Sequence, residues 1–327
     1  MEVLFFMNTR NDNSKILEIY KMKLFGELVK AVWNDDIEDI ENLPNKILNE
    51  DLKDNLNNYF SGKFDKDTMV NLIRVTMGLD VTEDTDKNLK ESLHEAVNLD
   101  EVKRPIISVI SDACKYCDEN NKEDESCKIR SKHINCNEED VCSACGDCVS
   151  RCKLGAISDK IEFIPMIKLL KDIKSPVYAI VAPAFVGQFG KDVSPGKLRT
   201  ALKKIGFEDM IEVALAADML TAKEAYDYYE HMKKDEEGCF ITSCCCPIWV
   251  SLIQNSFPQI LENVSPSVSP MIACGRAVKI LNPDAKVVFI GPCMAKKKEA
   301  MLEDIKDAVD FVLTFKELQE IFDALEL

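Results

Sequence analysis

Residues 286–293 read KVVFIGPC. From Val287 to Ile290 the run is unbroken, β-branched and aromatic, and a glycine and a proline stop it, the pattern of a short strand that ends in a loop. Cys293 stands at that stop, so the loop after the strand presents a sulfur. VYAIVAPAF (177–185) repeats the pattern, again closed by proline. FITSC (240–244) and IEVALAAD (211–218) are weaker strand signals, and DFVLTF (310–315) closes the series. Helical patterns lie between them: SPGKLRTALKKIGF (194–207), TAKEAYDYYEHMKK (221–234), PIWVSLIQNSF (247–257) and FKELQEIFDAL (315–325). Such alternation implies parallel strands joined by crossover helices.

This α/β pattern occupies residues 161–327. Upstream, in the segment 106–160, the stretch from about Cys114 to Ile157 is polar, cysteine-rich and poor in apolar side chains, so a hydrophobic core alone cannot hold it. Residues 1–105 contain no cysteine and read as acidic helices; KILEIYKMKLFGELVKAVW (15–33) and DTMVNLIRVTMGL (67–79) repeat apolar residues every three or four positions. They fit a small helical domain or docking surface. Asp100–Pro105 marks the boundary, because its charges and proline interrupt the helical pattern. The expected organisation is multidomain α/β.

The chain has 327 residues, 46% of them hydrophobic, enough for two or three domains with their own cores. A net charge of −16 disfavours nucleic acid and anionic membranes as partners, since both attract Lys and Arg. The opening MEVLFFMNTR lacks a basic n-region and a long apolar h-region, and no stretch reaches bilayer-spanning length. A soluble cytoplasmic protein is the expectation. In that setting the 14 cysteines are expected as reduced thiolates serving metals rather than as disulfides.

Eight of them cluster. Cys142, Cys145, Cys148 and Cys152 form C-x2-C-x2-C-x3-C, the spacing that wraps one 4Fe-4S cubane with three thiolates and sends the fourth to a second, as in bacterial ferredoxins. Lys153 replaces the proline that usually follows, which changes the chain exit but no ligand. Cys114, Cys117, Cys127 and Cys136 complete a set of eight for two 4Fe-4S clusters, with the pairing left open. His133 reads as a solvated loop residue. Structural zinc is the competing reading, and three consecutive ligands at x2 spacing favour iron–sulfur.

Three adjacent cysteines, Cys244–Cys246, sit in TSCCCPIW (242–249), with Pro247 placed to open a helix whose free amides favour a negative cluster. In open parallel sheets sites form where strands end, so Cys244–Cys246 and Cys293 are expected to converge on one crevice.

TSCCCPIW, SPSVSPM (265–271) and FIGPCMAKKKEA (289–300) resemble three successive motifs of the iron-only, or [FeFe], hydrogenases; APAFVGQFG, EVALAAD and VDFVLTFKELQEIFDA fit the same family. The resemblance runs from about Ile106 to the end. It implies a ferredoxin-like two-cluster domain followed by the first part of the hydrogenase catalytic domain. The family's centre, the H-cluster, joins a 4Fe-4S cubane to a two-iron unit bearing carbon monoxide and cyanide. By resemblance Cys246 and Cys293 ligate the cubane, and Cys245 passes protons to the iron. Lys296 binds a cyanide, while Ser269, Pro270, Met271 and Pro292 line the pocket. A proton relay runs through Cys245, a water, Asp227, Ser265 and Glu299, with Asp227 one methylene shorter than the family's glutamate. Cys244, where the family usually has serine, is read as packing, and so is Cys274; Cys239 lies in no motif. The implied partners are ferredoxin or a similar carrier, protons and dihydrogen, in an anaerobic setting.

The family's third cysteine motif does not occur within these 327 residues. Two expectations follow. In one the chain is an inactive fragment of a hydrogenase, and only the full-length enzyme carries the H-cluster. In the other it is a non-catalytic iron–sulfur protein for electron transfer, redox sensing or cluster assembly.

Overall fold

The computed structural model describes residues 16–38, 40–43, 66–82, 88–111, 113–114, 142–152, 154–172, 174–233 and 241–327. Cys117, Cys127, Cys136, His133 and Cys239 lie outside the described residues. The chain divides into two compact units, one of residues 1–142, 146–168 and 316–327, the other of residues 143–145 and 169–315. Residues 316–327, most of the last helix, count with the first unit.

In the first unit, α1 (Ile16–Trp33) buries Leu17, Tyr20, Leu24, Phe25, Leu28 and Val32, a stripe at helical spacing. α2 spans Lys66–Thr76. α3 (Leu89–Val97) starts at Asn88, whose side chain accepts from the Glu91 N–H at 2.8 Å and satisfies one of the helix's open donors. β1 (Ile107–Val109) and β2 (Ile157–Asp159) pair antiparallel on either side of the cysteine-rich segment, with α4 (Asp147–Arg151) between them in sequence. Two buried amines serve this end of β2. Lys21 of α1 donates to Ser158 Oγ at 2.8 Å and to the Asp159 carboxylate at 3.1 Å. Lys160 donates to Asp80 at 2.5 Å and to the Lys103 carbonyl at 2.8 Å. Buried ammonium groups persist only when so supplied with oxygen. α5 (Phe163–Lys171) sets Phe163 edge-on against Phe25, ring centroids 6.0 Å apart.

The second unit is built on a four-stranded, all-parallel sheet in the order β4-β3-β5-β6. Its strands are β3 (Val177–Val181), β4 (Asp209–Glu212), β5 (Lys286–Gly291) and β6 (Phe311–Thr314). α6 (Pro195–Lys204) links β3 to β4, its first turn capped by the Ser194 hydroxyl, which accepts from the Lys197 N–H at 3.3 Å. Among the described residues three α-helices lie between β4 and β5: α7 (Ala214–Lys233), α8 (Pro247–Ser256) and α9 (Pro270–Leu281). α10 (Ala295–Ala300) leads to β6, and α11 (Phe315–Ala324) follows. Val287, Val288, Ile290, Ala179, Ile180 and Val181 are all buried, so the two central strands form the core of the sheet.

Two strand expectations change. IEVALAAD is strand only to Glu212; after Val213 the alanines, which favour helix, begin α7. FITSC forms no strand, only one parallel bridge between Thr242 and Val264, because the chain turns at the cysteines into the proline-started α8. Among the described residues no helix is long and apolar enough to cross a membrane.

Candidate metal centre

The strand order creates the site. From β3 the chain moves outward to β4; from β4 it returns across β3 and inserts β5 on the other side. Connections thus leave the C-terminal ends of β3 and β5 in opposite directions, the switch point at which open α/β sheets form a binding crevice. The Ala182 N–H donates to the Ile290 carbonyl at 2.8 Å, carrying the ladder to the crevice edge. At Gly291 a Cβ would lie 2.5 Å from the Phe289 ring and 3.2 Å from the Ala182 Cβ, so close approach demands glycine there. Half-buried Cys293 follows.

The second source of sulfur is the turn before α8. Cys246 is the N-cap residue, in extended conformation, and Pro247 is the first helical residue. The turn is held from two sides. The Thr242 N–H donates to the Asn263 carbonyl at 2.7 Å, and the Ser265 N–H donates to the Thr242 carbonyl at 2.9 Å. From α10, Lys296 donates to the Cys245 carbonyl at 2.9 Å and to the Glu299 carboxylate at 2.5 Å. The side chains of Lys296 and Glu299 are 11% and 7% exposed, so this pair is largely withdrawn from water. Since the Lys296 N–H also donates to the Cys293 carbonyl at 3.2 Å, one residue ties the Cys293 loop to the cysteine turn. Cys245 and Cys246 are exposed, and the Ser243 hydroxyl donates to Cys245 Sγ at 3.0 Å.

Ser269 and Met271, at the start of α9, are buried; Pro270 is its first residue, and Pro292 is exposed. Ser269 Oγ is buried with no hydrogen-bond partner, a donor aimed at nothing the protein supplies. An acceptor-bearing group bound in this pocket would satisfy it. Ser265 is buried and its hydroxyl accepts from the Ser267 N–H at 3.3 Å.

Asp227 is not drawn into this cluster: its contact is the ion pair with Lys223 on its own helix, at 2.5 Å. The acid that α7 does present is Glu224, whose Oε1 lies 3.8 Å from Cys244 Sγ. Composition hides Glu224 among ordinary helix charges, but it stands three residues before Asp227 and so shares a helix face with it. Burial pushes the Cys244 thiol up, and the nearby Glu224 carboxylate adds to the shift. Cys274, buried in α9, is pushed up to about 11 by burial alone and stays a neutral packing residue.

In the C-x2-C-x2-C-x3-C run, Ala144 and Gly146 have left-handed φ of 51° and 82°. Such a conformation costs a non-glycine residue such as Ala144 about 1 kcal/mol. Cys148 is buried and Cys152 half-buried, and Cys152 Sγ accepts from the Ile157 N–H at 3.4 Å, a bond suited to an electron-rich thiolate. Cys114 is buried, Cys142 half-buried and Cys145 exposed. Among the described residues no three potential ligands converge on one point.

A parallel sheet with cysteine loops at its switch point, preceded by a ferredoxin-spaced cysteine run, defines an iron–sulfur class. Residues 175–327 match the family described as iron only hydrogenase large subunit, C-terminal domain. The chain is 32% identical over 188 residues to iron hydrogenase 1 of Clostridium pasteurianum, covering 51% of this chain and 32% of that protein. It is 29% identical over 205 residues to the NADP-reducing hydrogenase subunit HndD of Solidesulfovibrio fructosivorans, covering 55% and 35%. It is also 25% identical over 233 residues to the cytosolic Fe-S cluster assembly factor NAR1 of Meyerozyma guilliermondii, covering 63% and 44%. Residues 175–327 are thus similar to the C-terminal domain of the iron-only hydrogenase large subunit. It spans about a third of the length of these two hydrogenase relatives.

Proposed function

We propose that this chain is an iron–sulfur protein of hydrogenase type that receives electrons from ferredoxin or a similar small carrier and delivers them to a cubane at the β3/β5 crevice. The observation that carries the reading is Lys296, which joins the Cys293 loop to the Cys245 turn. Cys246 and Cys293 hold the cubane from two sides of the crevice. Cys142, Cys145, Cys148 and Cys152, with Cys114, Cys117, Cys127 and Cys136, hold two further 4Fe-4S clusters. Iron–sulfur clusters supply reversible one-electron storage, and a complete H-cluster adds the interconversion of protons and dihydrogen.

The protein's own groups serve that chemistry by position. Lys296 and the Ser269 hydroxyl offer donors to anionic or polar ligands, and Met271, Pro270 and Pro292 form the pocket wall. Cys245 takes up or releases a proton at its sulfur. Glu224, Ser265 and Glu299 carry it onward, with Asp227 at the outer end on α7. The protein's setting is the reducing cytoplasm, where thiolates remain available. Residues 1–327 alone turn over no dihydrogen, since their motifs offer the cubane two thiolates rather than four.

Anaerobic reconstitution with iron and sulfide tests this. The expected product is brown, with two firmly held clusters' worth of iron and a third, more easily lost cluster bound through two protein thiolates; Cys246→Ala or Cys293→Ala each lose that third cluster while the other two remain. Unchanged iron content in both variants defeats the reading. The similarity to a cluster assembly factor supports a second reading, a non-catalytic member of the family. Hydrogen evolution from reduced carrier by the assembled protein supports the first; clusters that exchange electrons with no gas under every condition support the second.

A further inference from the structure

Cys244 stands apart from its two neighbours. Cys245 and Cys246 are exposed, whereas Cys244 is half-buried, its Sγ 3.6 Å from the Val268 carbonyl and 3.8 Å from Glu224 Oε1. Three segments meet at that sulfur: α7 through Glu224, the cysteine turn itself, and the lead-in to α9 through Val268. A thiol has a single proton and serves one acceptor at a time, and an ionised carboxylate takes it in preference to a neutral carbonyl. A metal-bound thiolate has no proton to donate, so the contacts set Cys244 outside the ligand set.

We propose that Cys244 is a positioning residue whose S–H donates to Glu224 and tethers that carboxylate to the turn carrying Cys245. What Glu224 then does rests on the hydrogenase-type reading above; the tether itself exists without any cluster. Sulfur is suited to the task by reach. Hydroxyl hydrogen bonds close at about 2.8 Å, so a serine at this position falls roughly 1 Å short of the carboxylate.

The test is infrared spectroscopy of the S–H stretch in the full chain without iron. Subtracting the spectrum of Cys244→Ser from that of the unsubstituted protein isolates the Cys244 band, and buried Cys274 serves as an internal reference. The expected band lies at the low-frequency, strongly bonded end. It moves up in Glu224→Gln and further in Glu224→Ala, while the Cys274 band stays still. A Cys244 band that ignores both Glu224 substitutions assigns the proton to Val268 and overturns the proposal, as does the absence of any S–H band at this residue. Should Cys244→Ser not fold, the Glu224 variants compared directly with the unsubstituted protein show the same shift or its absence. A protein that refuses iron yet shows the band and its shift retains the tether and loses only the cluster reading.

Discussion

Lys296 makes two contacts of different kinds, a hydrogen bond to a backbone carbonyl and an ion pair with Glu299. Both partners of the pair are close to fully buried, so removing the ammonium strands a carboxylate away from water. Lys296→Met is expected to cost about 3 kcal/mol in urea unfolding of the metal-free protein, and Glu299→Gln in the same chain to recover part of that loss. A pair at the surface behaves differently. Asp209, at the start of β4, is held down to about 2 by the Arg199 guanidinium. A carboxylate depressed on folding adds stability above its ordinary value, near 4, and loses it as the pH falls from there towards 2. Arg199→Met therefore moves the Asp209 titration, followed by NMR, up towards 3.8 and flattens the acid limb of the stability curve in that window. Lys296, Cys246 and Cys293 were legible in the sequence because motif order marks them. Glu224 was not, since a helical glutamate becomes special only when a sulfur from a distant turn arrives beside it.

The central strands declared themselves for a reason that applies to elements. VVFI and VYAIV are apolar without interruption because successive side chains of β3 and β5 point to opposite faces of a parallel sheet and both faces are buried. Truncating Ile290, which is fully buried, is expected to lower stability by about 2–5 kcal/mol, read from the shift of the denaturant midpoint at constant slope. Shorter elements escaped notice. β1 and β2 have three residues each, too few for a periodicity, and they exist by pairing with one another across the whole cysteine-rich segment. Lys21 is buried in the middle of α1, where helical patterning reads a solvent-facing charge; only Ser158 and Asp159 explain it. Lys21→Met is expected to destabilise the first unit by about 3 kcal/mol and to leave the second unit's unfolding transition in place.

At the scale of the molecule, the two units draw their stability from different sources. The second has a sheet with apolar strands; the first contains the cysteine-rich segment, whose composition is too polar to sustain itself. Metal binding to such a segment is folding free energy. Calorimetry of the reconstituted protein is therefore expected to show two transitions. Chelation under reducing conditions should lower the one belonging to the first unit by about 10 °C or more, on the order expected for a few kcal/mol in a domain of this size, and leave the other nearly unmoved. A single transition unaffected by chelation counts against metal dependence. The parting of β3 and β5 has a longer reach than any of these energies. It is drawn by the route of the chain, not by a side chain, so stripping away every thiol leaves the cleft's outline intact. Evolution can accordingly equip or disarm the same notch by editing a handful of loop positions, and descendants with and without a reaction can share one skeleton.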